Sequence, residues 1–169
     1  MKDKKVIFIT QSAVIAALYV VLTVIGAPLS FGIVQVRISE MLCVLPVFFT
    51  SAVPGLFVGC LISNIIAGAN VLDIIFGSAA TLIGAIFTFL LRNICKKKHL
   101  GFVAAVPPII ANTVVIPLVL GYAYNMIGTD IGKTVATLPL IALFVFCGEV
   151  ISCGVLGTVL LLVMKKRIK

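Results

Sequence analysis

Four ionisable side chains stand in or beside apolar stretches of this 169-residue sequence: Arg37, Glu40, Asp73 and Glu149. An ionisable group in hydrocarbon costs on the order of 3 kcal/mol or more, so each of them needs a partner that offsets this cost. A carboxylate accepts two parallel donors together, as it does from an arginine side chain. The acids therefore indicate a site for a polar group that donates hydrogen bonds.

Glu149 is the acid with the strongest case for a functional role. It lies about midway along an apolar run, in CGEVISCG, with no basic residue within a helical turn. Its partner must come from another helix, from a ligand or from a proton. We favour a functional role for this residue.

The other three charges also have simple structural explanations. Arg37 and Glu40 are three residues apart, on one helix face, where they can form an interfacial ion pair without a ligand. Asp73 opens an apolar helix, where an acid complements the helix dipole. The ligand interpretation and the structural one both stand for these residues.

Amide side chains complete the candidate set. Asn64 and Asn112 lie inside apolar runs, where they either bond across helices or contact a ligand. The candidate substrate-binding residues are Glu149, Glu40, Arg37, Asp73, Asn64, Asn112 and Gln35.

Composition determines the kind of elements that hold these residues. Hydrophobic residues make up 62% of the chain and charged residues 11%, against roughly 25% charged in soluble domains. Mean hydropathy is +1.33, and the length fits one domain. We predict an all-α integral membrane protein, with a single transmembrane domain over residues 1–169.

The apolar pattern predicts six transmembrane helices, since about 20 apolar residues cross a bilayer. Two of the six pieces are short, and Pro107, Pro108 and Pro117 predict kinks. Residues 6–26 are too long for a signal-peptide core and are taken as a retained helix. The six helices are predicted at about 6–26, 38–50, 52–68, 71–93, 101–125 and 134–164.

Positive charge sits at the ends of the apolar runs. The chain has 13 Lys and Arg against 5 Asp and Glu. The basic residues are concentrated at residues 2–5, 96–98 and 165–169. Aromatic residues are not interleaved with them as on a nucleic-acid surface, so no nucleic-acid partner is predicted. Six crossings place all three basic segments on one side, which the positive-inside rule makes cytoplasmic. Both termini are therefore predicted to be cytoplasmic.

Small and sulfur-containing residues give weaker signals. The five cysteines form no C-x-x-C motif and are interpreted as packing residues, so no metal or other cofactor is predicted. The single histidine, His99, lies in a basic loop, which disfavours a membrane enzyme. Small residues at four-residue spacing, Ala13 with Ala17 and Gly55 with Gly59, favour close helix approach.

Four segments resemble one family. They are APLSFGIVQVRISE (27–40), PGLFVGCLISN (54–64), LDIIFGSAATL (72–82) and GEVISCGVLG (148–157). The sequence is similar to the QueT group of substrate-binding (S) components of energy-coupling factor (ECF) transporters. One departure is Ile33, where the family often has Pro.

The resemblance implies a six-helix S component in a prokaryotic cell membrane that binds a queuosine precursor of the 7-deazaguanine type from outside. It implies as partners a transmembrane coupling (T) subunit and two ATPase subunits. The chain itself has no G-x-x-x-x-G-K-[ST] motif. In such components the first helix docks on the T subunit through small residues, a pattern that Ala13 and Ala17 match.

Such a ligand suggests roles for the candidate residues. The guanine-like edge places a ring N–H beside an amine, two donors that Glu149 or Glu40 could accept together. Asp73 could neutralise an aminomethyl cation. The remaining candidates are Asn64, Asn112 and Gln35 for the ligand carbonyl, and Arg37 to orient Glu40 or hold the outer loop.

Two other functions stay open. In a proton-coupled secondary transporter of a small polar solute, Glu149 would cycle its proton, although the sequence lacks the repeated halves usual in such folds. An S component for a different vitamin is the second alternative.

Overall fold

A computed structural model describes residues 2–26, 36–97, 101–123 and 131–167. Nearly all of these residues are helical, and these ranges contain no β-strand. The prediction of an all-α protein is confirmed.

The helices follow the predicted apolar runs, but several are interrupted by non-α geometry. The first half holds α1 (Lys2–Ile25), the 3₁₀ helix α2 (Ile38–Val47) and α3 (Ala52–Ile66). A first π segment (Asp73–Gly77) then runs into α4 (Ser78–Leu90), and the short α5 (Arg92–Cys95) follows. The second half holds a 3₁₀ turn (Gly101–Ala105), α6 (Val106–Ala123), α7 (Ile131–Glu149), a second π segment (Val150–Leu156) and α8 (Gly157–Arg167).

Among the described residues, four helical stretches are long and apolar enough to cross a membrane: Asp3–Ile25, Asp73–Leu90, Gly101–Gly121 and Leu138–Arg167. Two apolar helices, Ile38–Val47 and Ala52–Ile66, are shorter. The chain is a multi-pass membrane protein, and the count of six crossings stays a prediction. The short helices are the two pieces predicted at 38–50 and 52–68.

The proline effects differ from the prediction at one end of α6. Pro107 and Pro108 lie in its first turn, where a backbone N–H has no intrahelical partner, so proline is tolerated there. The change in geometry comes just before them, where the 3₁₀ turn ends at Ala105. Pro117 does lie inside α6, as predicted.

Glycines bring the helix backbones together. A Cβ at Gly55 would lie 2.7 Å from the carbonyl oxygen of Ser12, and one at Gly59 would lie 2.8 Å from Tyr19 Cβ. A Cβ at Gly84 would lie 2.7 Å from Pro108 Cα, so α4 and α6 also pack closely. The close approach predicted at Gly55 and Gly59 occurs between α3 and α1.

The 3₁₀ helix α2 lies at the centre of the bundle. It contacts α1, α3, α4, α8 and the second π segment, and eight of its ten residues are buried. A run of ten is long for this geometry, which usually continues for three or four residues. Since α2 carries Glu40, this acid is held in the protein interior, away from lipid.

Candidate ligand site among the buried acids

All four ionisable candidates are buried. The exposed fractions are 3% for Arg37, 1% for Glu40 and 2% each for Asp73 and Glu149. The amides Asn64 and Asn112 are also buried. Gln35 lies outside the described residues. Six of the seven candidates therefore occupy the interior of the bundle.

Glu149 is paired with Asn112 but is only partly satisfied. Asn112 Nδ2 donates a hydrogen bond to Glu149 Oε1 at 2.9 Å, which joins α6 to the end of α7. Glu149 Oε2 and Asn112 Oδ1 have no hydrogen-bond partner within the described part of the chain. Because unpaired buried polar groups are costly, these two acceptors need a donor that the described residues do not supply.

A second group of polar side chains lies around the first π segment. Arg37 Nη2 is 3.7 Å from Asp73 Oδ2, an ion pair between buried side chains. Asn64 Nδ2 donates to the backbone carbonyl of Asp73 at 3.4 Å. Asp73 therefore has a charge partner as well as its place at a helix start.

Glu40 differs from Glu149 because protein donors bind both of its oxygens. The Tyr19 hydroxyl donates to Oε1, and the Cys43 thiol donates to Oε2 at 2.8 Å. Nearby, Thr23 Oγ1 donates to Ser39 Oγ at 2.8 Å, so α1 is attached to α2 at two points. Protein donors therefore hold Glu40 in place.

The charges of the two groups act on one another. Arg37 pairs with Asp73, and Glu40 and Glu149 are buried in the same bundle. Among these side chains three carboxylates face one guanidinium. When ionised, they favour a guest that is rich in donors or carries positive charge, because charges interact strongly away from water.

Each of the three acids stands at a departure from α-helical geometry. Asp73 begins the first π segment, Glu149 directly precedes the second, and Glu40 is in the 3₁₀ helix α2. Short π segments inside α-helices are rare and occur frequently at functional sites. The backbone geometry thus marks the same residues as the charge pattern.

Comparison with known proteins identifies the family. The sequence model described as QueT transporter matches residues 9–166. The chain belongs to the QueT transporter family. All six buried candidate residues of this QueT family member lie within the matched range.

A curated relative from Lactococcus lactis subsp. cremoris (strain MG1363) is named "Queuosine precursor transporter QueT". It is 38% identical to this QueT family member over 101 residues. These residues are 59% of this chain and 59% of the relative, so the match spans less than two thirds of the relative's length. No solved structure matches this chain.

Three polar side chains of this QueT family member were not among the sequence candidates. Tyr19 and Cys43 bind Glu40, and Ser152, in the second π segment, has a buried hydroxyl oxygen without a hydrogen-bond partner in the described ranges. Tyr19 carried a usable signal, because a phenol inside an apolar helix needs a partner when buried. The cysteine was interpreted as a packing residue.

The two alanines predicted to dock on a partner lie on the other side of α1 from Tyr19. Ala13 and Ala17 are exposed, whereas Ile15, Ala16 and Tyr19 are buried towards α3. The alanines are therefore accessible to a partner in the membrane. Their docking role in this QueT family member stays a prediction.

Proposed function

We propose that this chain captures a queuosine precursor, a 7-deazaguanine base, from outside the cell. Membership of the QueT transporter family and the printed name of the L. lactis relative support this substrate class. The observation that carries the proposal is the open oxygen of Glu149, buried beside the open oxygen of Asn112.

The base edge fits these acceptors chemically. A guanine-type ring presents a ring N–H next to an exocyclic amine, and a carboxylate has about four lone-pair sites for such donors. Glu149 Oε2 has no partner among the described residues, and Oε1 can accept a second bond beside that from Asn112 Nδ2. Glu149 is therefore the proposed acceptor for the base.

Glu40 has a supporting role in this proposal. Its two oxygens already accept from Tyr19 and Cys43, so its charge acts on the site at a distance. Gln35 and Arg37, just before α2 in the sequence, are proposed to contribute their side chains to the same binding site. The carbonyl of the base would bind an amide donor of Gln35 or Asn64.

The chain is further proposed to act as the S component of an ECF transporter. Six crossings with both termini in the cytoplasm agree with the basic segments at residues 2–5, 96–98 and 165–169. Docking on a T subunit would use the exposed Ala13 and Ala17 of α1. Two separate ATPase subunits would supply the energy.

Binding and transport measurements test the proposal. Detergent-purified chain should bind a 7-deazaguanine base without any ion gradient, and uptake in cells should require co-expressed T and ATPase subunits. Buffer without ligand and an unrelated vitamin serve as the controls for binding. Uptake by this chain alone that a protonophore abolishes would contradict the proposal and favour the proton-coupled alternative.

A further inference from the structure

A second pair of open acceptors lies on elements that do not carry Glu149. Asp73 Oδ1 and Asn64 Oδ1 have no hydrogen-bond partner within the described residues. Asp73 is 2% exposed and Asn64 is fully buried. Because both atoms can only accept hydrogen bonds, the partner that they lack must be a donor.

The two side chains are held side by side around one glycine. Asn64 Nδ2 donates to the backbone carbonyl of Asp73. A Cβ at Gly77 would lie 3.1 Å from Asp73 Oδ1 and 3.5 Å from Asn64 Nδ2. Any larger residue at position 77 would crowd the carboxylate, so glycine keeps room for it.

Charge determines which kind of donor fits. The 3.7 Å separation of Arg37 Nη2 and Asp73 Oδ2 is longer than a hydrogen bond, so their attraction is mainly Coulombic. Within the described residues Asp73 Oδ1 has no hydrogen-bond partner. A primary ammonium supplies three N–H donors together with a positive charge. Because three buried acids share one guanidinium among these side chains, a cationic donor fits better than a neutral one.

We infer that Asp73 and Asn64 form a subsite for a protonated primary amine of the ligand. Arg37 acts as the internal counter-ion that holds the Asp73 carboxylate in the ligand-free state. This inference rests on the proposed function, since it assigns a second part of the same ligand. The amine would stand on a substituent arm, away from the base edge bound by Glu149. The subsite sets specificity for the arm, while Glu149 captures the base.

Two ligands that differ in the charge of the arm test the subsite. We would titrate 7-aminomethyl- and 7-cyano-7-deazaguanine into the detergent-purified full chain. The wild-type chain should prefer the aminomethyl ligand at least about tenfold, because bonds to charged groups are strong. Asp73→Asn should remove most of this preference, because it weakens binding of the aminomethyl ligand more than binding of the cyano ligand.

Two further variants make the result specific. Asp3→Asn, the same acid-to-amide change at an exposed position of α1, should retain the wild-type preference. Gly77→Ala keeps every charge but crowds Asp73, so it should lower the preference for the aminomethyl ligand. If Asp73→Asn does not fold, Gly77→Ala is the variant that tests the amine subsite.

The outcomes separate this inference from the function on which it rests. A wild-type chain without preference, or an Asp73→Asn chain that keeps it, overturns the amine subsite and leaves capture of the base intact. A wild-type chain that binds neither ligand overturns the proposed function and the subsite together.

Discussion

Glu149 and Glu40 are both buried carboxylates, but their hydrogen bonds give them different roles. Tyr19 and Cys43 donate to both oxygens of Glu40, whereas one oxygen of Glu149 has no partner in the described part of the chain. A side chain whose acceptors are already bound contributes charge. One with an open acceptor can bind a guest, and this difference is the reason for proposing Glu149 as the ligand contact.

Replacing Glu149 by Gln tests this assignment at the residue scale. The change keeps the shape of the side chain but removes the charge and one acceptor. Binding of the base should weaken by about 1.5–3 kcal/mol, roughly 10- to 150-fold, measured by titration calorimetry. Asp3→Asn, an exposed acid-to-amide change, should leave the affinity unchanged. Unaltered affinity in Glu149→Gln would remove this residue from the site.

That these charged candidates lie in the interior could be predicted from the sequence, because charge in apolar segments is rare. Glu149, Glu40, Asp73 and Arg37 are all buried, as a membrane interior requires of ionisable groups. Which of these side chains pair with one another could not be predicted from the sequence. That Arg37 meets Asp73 depends on how α2 packs against distant elements, which local spacing does not encode.

At the scale of elements, α1 and α3 pack closely and hold Glu40 in place. Tyr19 reaches Glu40 from α1, while Gly59 of α3 lies against the Tyr19 side chain. The hydrogen bond from Ser12 Oγ to the Ser51 carbonyl, at 2.9 Å, adds a second tie between α1 and the start of α3. The position of Glu40 therefore depends on this helix pair.

Gly55→Ala should destabilise the protein by disturbing that helix pair. The added Cβ would lie 2.7 Å from a backbone oxygen of Ser12, so the helices must separate, at a cost of about 1–3 kcal/mol. Thermal unfolding in detergent should show a lower midpoint. Gly154→Ala is the matched control, because its Cβ would meet Val150 Cγ1 at an ordinary 3.7 Å. Equal midpoints for the two variants would contradict the observed packing.

The elements were predicted well where apolar length decides them and poorly where geometry departs from the α-helix. Residues 6–26 and 52–68 were predicted helical, and α1 and α3 cover nearly the same residues. The two π segments had no sequence signal, because hydrophobic periodicity over five to seven residues does not separate i to i+5 from i to i+4 bonding. Asp73 nonetheless begins the first π segment, and Glu149 directly precedes the second.

For the whole molecule, the apolar exterior and the basic ends describe a multi-pass membrane protein. Side chains such as Ile25, 73% exposed, and Leu90, 63% exposed, face outward where lipid would contact them. On the side predicted to be cytoplasmic, Lys165 Nζ donates to the carbonyl oxygen of Cys95 at 2.7 Å, which joins α8 to the end of α5. The basic segments near residues 97 and 165 therefore lie together.

Topology reporters test the orientation of the whole chain. Green fluorescent protein fused after residue 97 or at the carboxyl terminus should fluoresce, since both points are expected in the cytoplasm. Alkaline phosphatase fused after residue 127 should be active, because six crossings place that loop outside. Phosphatase activity after residue 97 would contradict the six-crossing arrangement.

A ligand-bound structure tests the central claim most directly, since the claim concerns which atoms the guest contacts. With a 7-deazaguanine base bound, we expect base N–H groups within about 2.7–3.2 Å of Glu149 Oε2. A base bound elsewhere, with Glu149 Oε2 still without a donor, would contradict the account.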